Sequence, residues 1–207
     1  MAAERKRPWY LVLALLGALA LGTTAARKGW GTIAIYREPV DISLVGEGVA
    51  DSVDRAAVEA SAQAFVSAMD MAKVRGWPIA VATLLLGGAM IVFSMRALGG
   101  SAGARAALVQ IVVAQAGLNV GSYWLLRDVQ NAEIAVQVAR NVATIHESVT
   151  DHERADEMLR MTRSSARIVN PLALFLGTLA SALVVVALTR RRSRDFFEGA
   201  TPAVEER

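Results

Sequence analysis

The sequence predicts an all-α integral membrane protein: a four-transmembrane-helix bundle with extracytoplasmic helical extensions and one short β-hairpin. Three observations carry that expectation. Hydrophobic residues make up 54% of the 207-residue chain and the mean hydropathy is +0.39, high for a water-soluble domain. Four windows, 8–26, 77–95, 106–126 and 169–189, contain no Asp, Glu, Lys or Arg. Each is close to the roughly 20 residues that a helix needs to cross about 30 Å of hydrocarbon. Finally, Trp9, Tyr10, Trp30, Trp77, Tyr123 and Trp124 fall at the ends of these windows, where amphipathic rings settle at a membrane surface.

The first window follows Arg5, Lys6 and Arg7, runs through "LVLALLGALALG" and ends in "TTAA". That order matches a signal peptide, with cleavage after Ala25 or Ala26 as the alternative reading. Arg27 and Lys28 follow at once and the apolar stretch is long enough to span, so transmembrane helix 1 is expected to stay as an uncleaved anchor. Orientation follows from basic residues in short segments. Segments 1–7, 96–105 and 190–207 hold ten Lys or Arg in 35 residues, against twelve in the 92 residues of 27–76 and 127–168. By the positive-inside rule the three short segments are cytoplasmic: the N-terminus, one loop and a basic tail. Arg190, Arg191, Arg192 and Arg194, directly after the last span, are placed to meet lipid headgroups. A bacterial-type inner membrane is the expected location, with both termini inside.

The extracytoplasmic segment 27–76 opens with Ile33, Ile35, Val40, Ile42 and Leu44 at period two, interrupted by Pro39, which reads as two short strands. From Gly48 the period changes. Val49, Val53, Ala56, Ala60, Ala64, Ala68, Met71 and Val74 recur every three or four residues and define the expected core face of an amphipathic helix. The segment 127–168 is expected to form a helical hairpin. Ile134, Val138, Val142, Ile145 and Val149 continue transmembrane helix 3 outward without a break, as one helix from about Arg105 to Val149. Thr150 and Glu153 fit a capping box that starts the next helix, carrying Met158, Met161 and Ile168 towards the fourth span. Pro8, Pro78 and Pro171 each open a membrane window, where a missing N–H costs little.

The candidate site lies in "AQAGLNVGSYW", residues 114–124. At 100° per residue Gln115, Asn119 and Ser122 share one face, whereas Gly117 and Gly121 form a GxxxG on another. Two readings follow. The amides and glycines hold helices together, with Gly87, Gly177 and Ser181 as small partners on other spans; or the amide face lines a polar path for water or a neutral solute. Ion-coupled transport is not expected, because no intramembrane Asp, Glu or His exists.

No catalytic residues, cofactor or metal are expected. The chain has no cysteine, so disulfides and thiolate ligands are excluded. His146 and His152 are the only histidines and sit on opposite sides of the expected helix break, as parts of a solvated turn. "LGGSAGA" at 98–104 lacks the lysine and preceding strand of a phosphate loop. The net charge of +3 and pI of 9.7 come from arginines near window ends, with no basic patch interleaved with aromatics, so nucleic acid is not an expected partner. The expected partners are the lipid bilayer and other membrane protein subunits, or the chain itself as a homo-oligomer. The expected role is that of a non-catalytic assembly, scaffold or sensor-like subunit, with a small channel or transporter component as the alternative.

Overall fold

The computed structural model describes residues 8–38, 52–148 and 152–198, and every element among them is an α-helix. In chain order these are α1 (Trp9–Arg37), α2 (Ser52–Leu98), α3 (Ala102–Leu125), α4 (Arg127–Ser148), α5 (His152–Thr189) and α6 (Arg191–Glu198). Four of them, α1, α2, α3 and the Pro171–Thr189 part of α5, are long and apolar enough to cross a membrane. A helix is the element that such a stretch must form in lipid, because it satisfies its own N–H and C=O groups. Trp9 and Trp30 of α1 are both exposed and stand about 31 Å apart along the axis at 1.5 Å per residue, close to the hydrocarbon thickness.

The chain divides into two compact units. The described residues of the first are 8–31, 79–120 and 175–198; those of the second are 32–38, 52–78, 121–148 and 152–174.

In the first unit the buried residues of α1, Ala14 aside, are spaced alternately four and three apart: Leu11, Leu15, Ala18, Gly22, Ala25 and Gly29. The buried residues of α2 follow the same rule, with Ala80, Thr83, Gly87, Met90, Ser94 and Ala97. This 3.5-residue mean period is the left-handed coiled-coil repeat. The large members of the set, Leu11, Leu15 and Met90, pack with Leu108 and Val112 of α3, Val184 and Leu188 of α5 and Phe197 of α6 in one core. At the turn after α2, Gly100 adopts φ +94°, a left-handed conformation that favours glycine, and its N–H bonds the Ala97 carbonyl at 2.9 Å.

The second unit is built around Tyr36, Ala68, Met69, Ala72 and Val129, with Phe65, Trp77, Leu126 and Ala132 packed on them. Arg37 lies over the Trp77 ring at 5.9 Å, and Arg75 pairs with Asp128 at 3.0 Å on the surface.

Four sequence expectations are corrected. Ile33 and Ile35 form no strand: α1 runs through them, burying Ile33 and Tyr36 three residues apart and leaving Ile35 exposed. Extending a helix that the span has already nucleated is easier than starting a strand with no partner. Pro39, Val40, Ile42 and Leu44 lie outside the described residues. Pro78 and Pro171 do not open new helices; both sit inside α2 and α5. Each removes one backbone hydrogen bond, a cost of about 3 kcal/mol in a helix interior, and on either side of Pro78 the helix is held by buried Gly76 and Ala80.

The expected single helix from Arg105 to Val149 is interrupted by one turn residue, Leu126, between α3 and α4. The hydrogen-bond ladder nevertheless carries through it, from Leu126 N–H to the Ser122 carbonyl at 2.9 Å and from Gln130 N–H to the Leu126 carbonyl at 3.0 Å. No proline or glycine falls at the turn to end the helix outright. Val149 and Thr150 lie outside the described residues, and the next helix begins at His152.

The fourth correction concerns α2. Of its expected core face, Ala68 is buried, but Ala56, Ala60 and Ala64 are exposed, Met71 is 76% exposed and Val74 is 89% exposed. The buried face is Val58, Ala62, Met69, Ala72 and Gly76 instead. An alanine-rich helix presents small apolar residues on several faces, so spacing alone does not choose among them. Here Gly76 decides it, because a Cβ at that position would collide with the hydroxyl and ring of Tyr36.

Candidate functional site

The amide face of α3 resolves into a hydrogen-bonded pair. Gln115 and Asn119 are one helical turn apart, and Gln115 Nε2 donates to Asn119 Oδ1 at 3.0 Å. Gln115 is 4% exposed and its Oε1 has no hydrogen-bond partner among the described residues, which leaves an acceptor enclosed in the bundle. Asn119 is half-buried. Ser122, also half-buried, belongs to the second unit. A shallow depression of about 360 Å³ elsewhere on the molecule is lined by Thr23, Thr24, Arg27 and Lys28 of α1 and shares no residue with the pair. Both threonine hydroxyls there donate to carbonyls of their own helix, those of Leu19 and Ala20, at 2.9 Å.

The close backbone contacts lie between α1 and α2. A Cβ on Gly87 would stand 2.5 Å from the Ala26 nitrogen and 2.8 Å from the Gly22 carbonyl oxygen. One on Gly29 would stand 2.6 Å from the Leu84 nitrogen and 2.9 Å from the Ala80 carbonyl oxygen. Gly22 meets Met90 Cβ at 2.8 Å in the same sense. Of the glycines singled out from sequence, Gly87 therefore sits in a tight seam, whereas Gly117, Gly121 and Gly177 have nothing among the described residues within 4 Å of a Cβ. Ser181 is buried and turns its hydroxyl back to the Gly177 carbonyl of its own helix at 2.9 Å. Gly22 and Gly29 carried a usable signal: they are seven residues apart, as are Ala80 and Gly87, and the two pairs interlock. The GxxxG spacing drew attention to α3 instead.

The basic cluster after the fourth span is more ordered than a plain tail. Phe197 of α6 is fully buried in the core of the first unit, and Ser193, also fully buried, donates from Oγ to the Ala187 carbonyl at 2.7 Å. Arg105 of α3 donates from an η nitrogen to the Leu188 carbonyl at 3.0 Å and places its guanidinium 5.7 Å over the Phe197 ring. The Leu188 carbonyl belongs to the last turn of α5, which has no intrahelical donors of its own, so the arginine caps that helix while holding α6. Arg190 stands 5.7 Å over the Tyr10 ring. Arg191, Arg192 and Arg194 are exposed on α6. Sequence reasoning missed the docking of α6, although the paired Phe196 and Phe197 beyond four arginines carried its signal.

His146 lies in α4 and His152 opens α5, so the two fall on different helices. Among the described residues no three His, Cys, Asp or Glu gather as a metal-binding group. The fold and these contacts define an all-helical bundle with four membrane-length helices, one tight glycine seam and one enclosed amide pair. No protein-family model, curated protein or solved structure matches the chain.

Proposed function

We propose that the protein is a non-catalytic multi-pass membrane subunit that assembles with other membrane protein subunits, acting as a scaffold or sensor-like component through its second unit and its transmembrane faces. The observation that carries this is the uncovered stripe of α2. Ala56, Ala60, Ala64, Met71 and Val74 follow helical spacing and are all exposed, and Met161, Ile168 and Val169 of α5 are exposed in the same unit. Exposed apolar residues at helical spacing on one face are the form that a helix-packing partner recognises. The basic residues of the short segments support a placement with both termini in the cytoplasm of an inner-membrane setting, and Arg191, Arg192 and Arg194 on α6 are available to anionic headgroups.

Native co-purification in mild detergent tests the reading. A defined partner should accompany the wild-type chain and be lost from the Met71→Glu/Val74→Glu variant, whose exposed positions leave its own fold intact. Recovery of the chain alone, as a monomer, would overturn the proposal.

The second reading, a channel component for water or a neutral solute, draws on the unpartnered Oε1 of Gln115 inside the bundle. If Asn119→Leu abolishes solute flux in liposomes while association persists, that reading prevails over packing.

A further inference from the structure

The uncovered face of α3 is a second interaction surface, and its chemistry names its occupant. Gly103, Ala106, Gln110, Val113, Gly117 and Val120 are all exposed and are spaced alternately three and four apart. The opposite face, Ala104, Leu108, Val112 and Gln115, is buried in the bundle. Gly103 and Gly117 have nothing among the described residues within 4 Å of a Cβ, so the stripe is open to the close approach of another helix. That alone specifies no partner.

Gln110 supplies the specification. It lies four residues, about 6 Å at the helical rise, inside the charge-free window that starts at 106, and its side chain makes no hydrogen bond among the described residues. A primary amide turned to hydrocarbon leaves two donor hydrogens and an acceptor oxygen unsatisfied. Every copy of this chain crosses the bilayer in the same direction, so a neighbouring α3 runs parallel and presents its own Gln110 at the same depth. The amide is electrostatically complementary to itself: each Nε2 can donate to the other's Oε1, closing a reciprocal pair about a two-fold axis. Alternating steps of three and four are the spacing of a left-handed parallel helix pair, in which one polar residue on the seam fixes register.

We infer that the protein forms a parallel homodimer through this face of α3, with Gln110 paired to Gln110 of the second copy. The inference rests on the assembly reading above and names a partner for the membrane-embedded part.

The absence of native cysteine makes the test direct. Single-cysteine variants of the full chain are expressed in native membranes and oxidised with copper phenanthroline. Ala106→Cys, Val113→Cys, Gly117→Cys and Val120→Cys should give disulfide-linked dimer at least tenfold above Leu108→Cys and Val112→Cys. Adding Gln110→Leu to Val113→Cys should lower the dimer yield several-fold, and Gln110 is exposed, so the monomer fold is not at stake. Equal yields around the helix, no dimer at any α3 position, or dimer confined to cysteines on exposed α5 positions such as Leu176→Cys and Leu183→Cys would each overturn the inference. Cross-linking of the α3 positions only to a different protein would also overturn it while leaving the assembly reading standing. Loss of both cross-linking and co-purified partner would remove the two together.

Discussion

The α1–α2 seam makes a quantitative prediction through Gly87→Ala. The added methyl would lie 2.5 Å from the Ala26 nitrogen, 2.8 Å from the Gly22 carbonyl oxygen and 3.0 Å from Ala26 Cα. All three are backbone atoms of α1, so none can rotate aside as a side chain would. Ordinary contact begins near 3.4 Å, and the two helices must therefore part by about 0.9 Å at this level. A gap of roughly 0.5–1 Å already forfeits a quarter to a half of each dispersion contact on the seam, and overpacking of this kind costs about 1–3 kcal/mol.

Working against that, alanine gains about 1 kcal/mol over glycine in a helix interior. The neighbouring residue separates the two effects, because a Cβ on Gly88 meets nothing among the described residues within 4 Å. Gly88→Ala keeps the propensity gain without the clash, so the difference between the two variants isolates the seam. Unfolding in mixed micelles by SDS titration, followed by tryptophan fluorescence, should place Gly87→Ala about 1–3 kcal/mol below Gly88→Ala. Coincident unfolding curves for the two would refute the argument that α1 and α2 are held by backbone approach.

The same SDS titration tests the amide pair. Gln115→Leu removes an enclosed unpartnered acceptor and should be neutral or mildly stabilising, whereas Asn119→Leu strands the Gln115 donor as well and should cost about 1–3 kcal/mol; the reverse order would sink this account of the pair. Phe197→Ala should undock α6, and trypsin should then cut after Arg191, Arg192 or Arg194 at least tenfold faster than in wild type, while Phe196→Ala, half-buried in the structure, should change the rate much less. Asp128→Asn should shift stability by less than about 1 kcal/mol, because the Arg75–Asp128 pair is 45% and 73% exposed and surface pairs contribute little; a larger loss in thermal unfolding would mean that the pair holds the second unit together.

Much of this architecture was legible in the chain because lipid imposes a strict rule on sequence. A membrane helix must be apolar for about 20 residues, and the four charge-free windows stand out against their flanks for that reason. What the windows did not reveal is where each helix stops. Proline is a boundary signal in water, but α2 and α5 continue through Pro78 and Pro171, since a helix fixed on both sides of the residue tolerates one missing hydrogen bond. The candidate site divides in the same way. The shared face of Gln115, Asn119 and Ser122 follows from 100° geometry, and the first two are joined by a hydrogen bond along it. The choice of Gly117 and Gly121 as the packing glycines does not carry over within this chain, because GxxxG reports that close approach is permitted and not which neighbour arrives. The heptad spacing of Gly22 with Gly29 and of Ala80 with Gly87 held that information, since both helices repeat at the same period.

The misphased face of α2 is the more instructive case. An alanine-rich helix gains little by burying any one of its apolar stripes, so a few larger contacts fix the phase: Tyr36 against Gly76, and Met69 and Phe65 in the core of the second unit. The stripe left over, ending in Met71 and Val74, is then exposed because another face won. Its exposure carries the assembly reading, and the stripe on α3, uncovered although Gln110 makes no hydrogen bond among the described residues, is a second surface of the same kind. Because one stripe lies in each compact unit and they share no residue, perturbing one should leave association through the other unchanged, as expected for independent sites. Met71→Glu/Val74→Glu should abolish partner recovery without reducing α3 cross-linking, and Gln110→Leu should do the opposite. Loss of both phenotypes from either change would mean that the two surfaces serve a single interface, and the separate roles assigned to them would fail together.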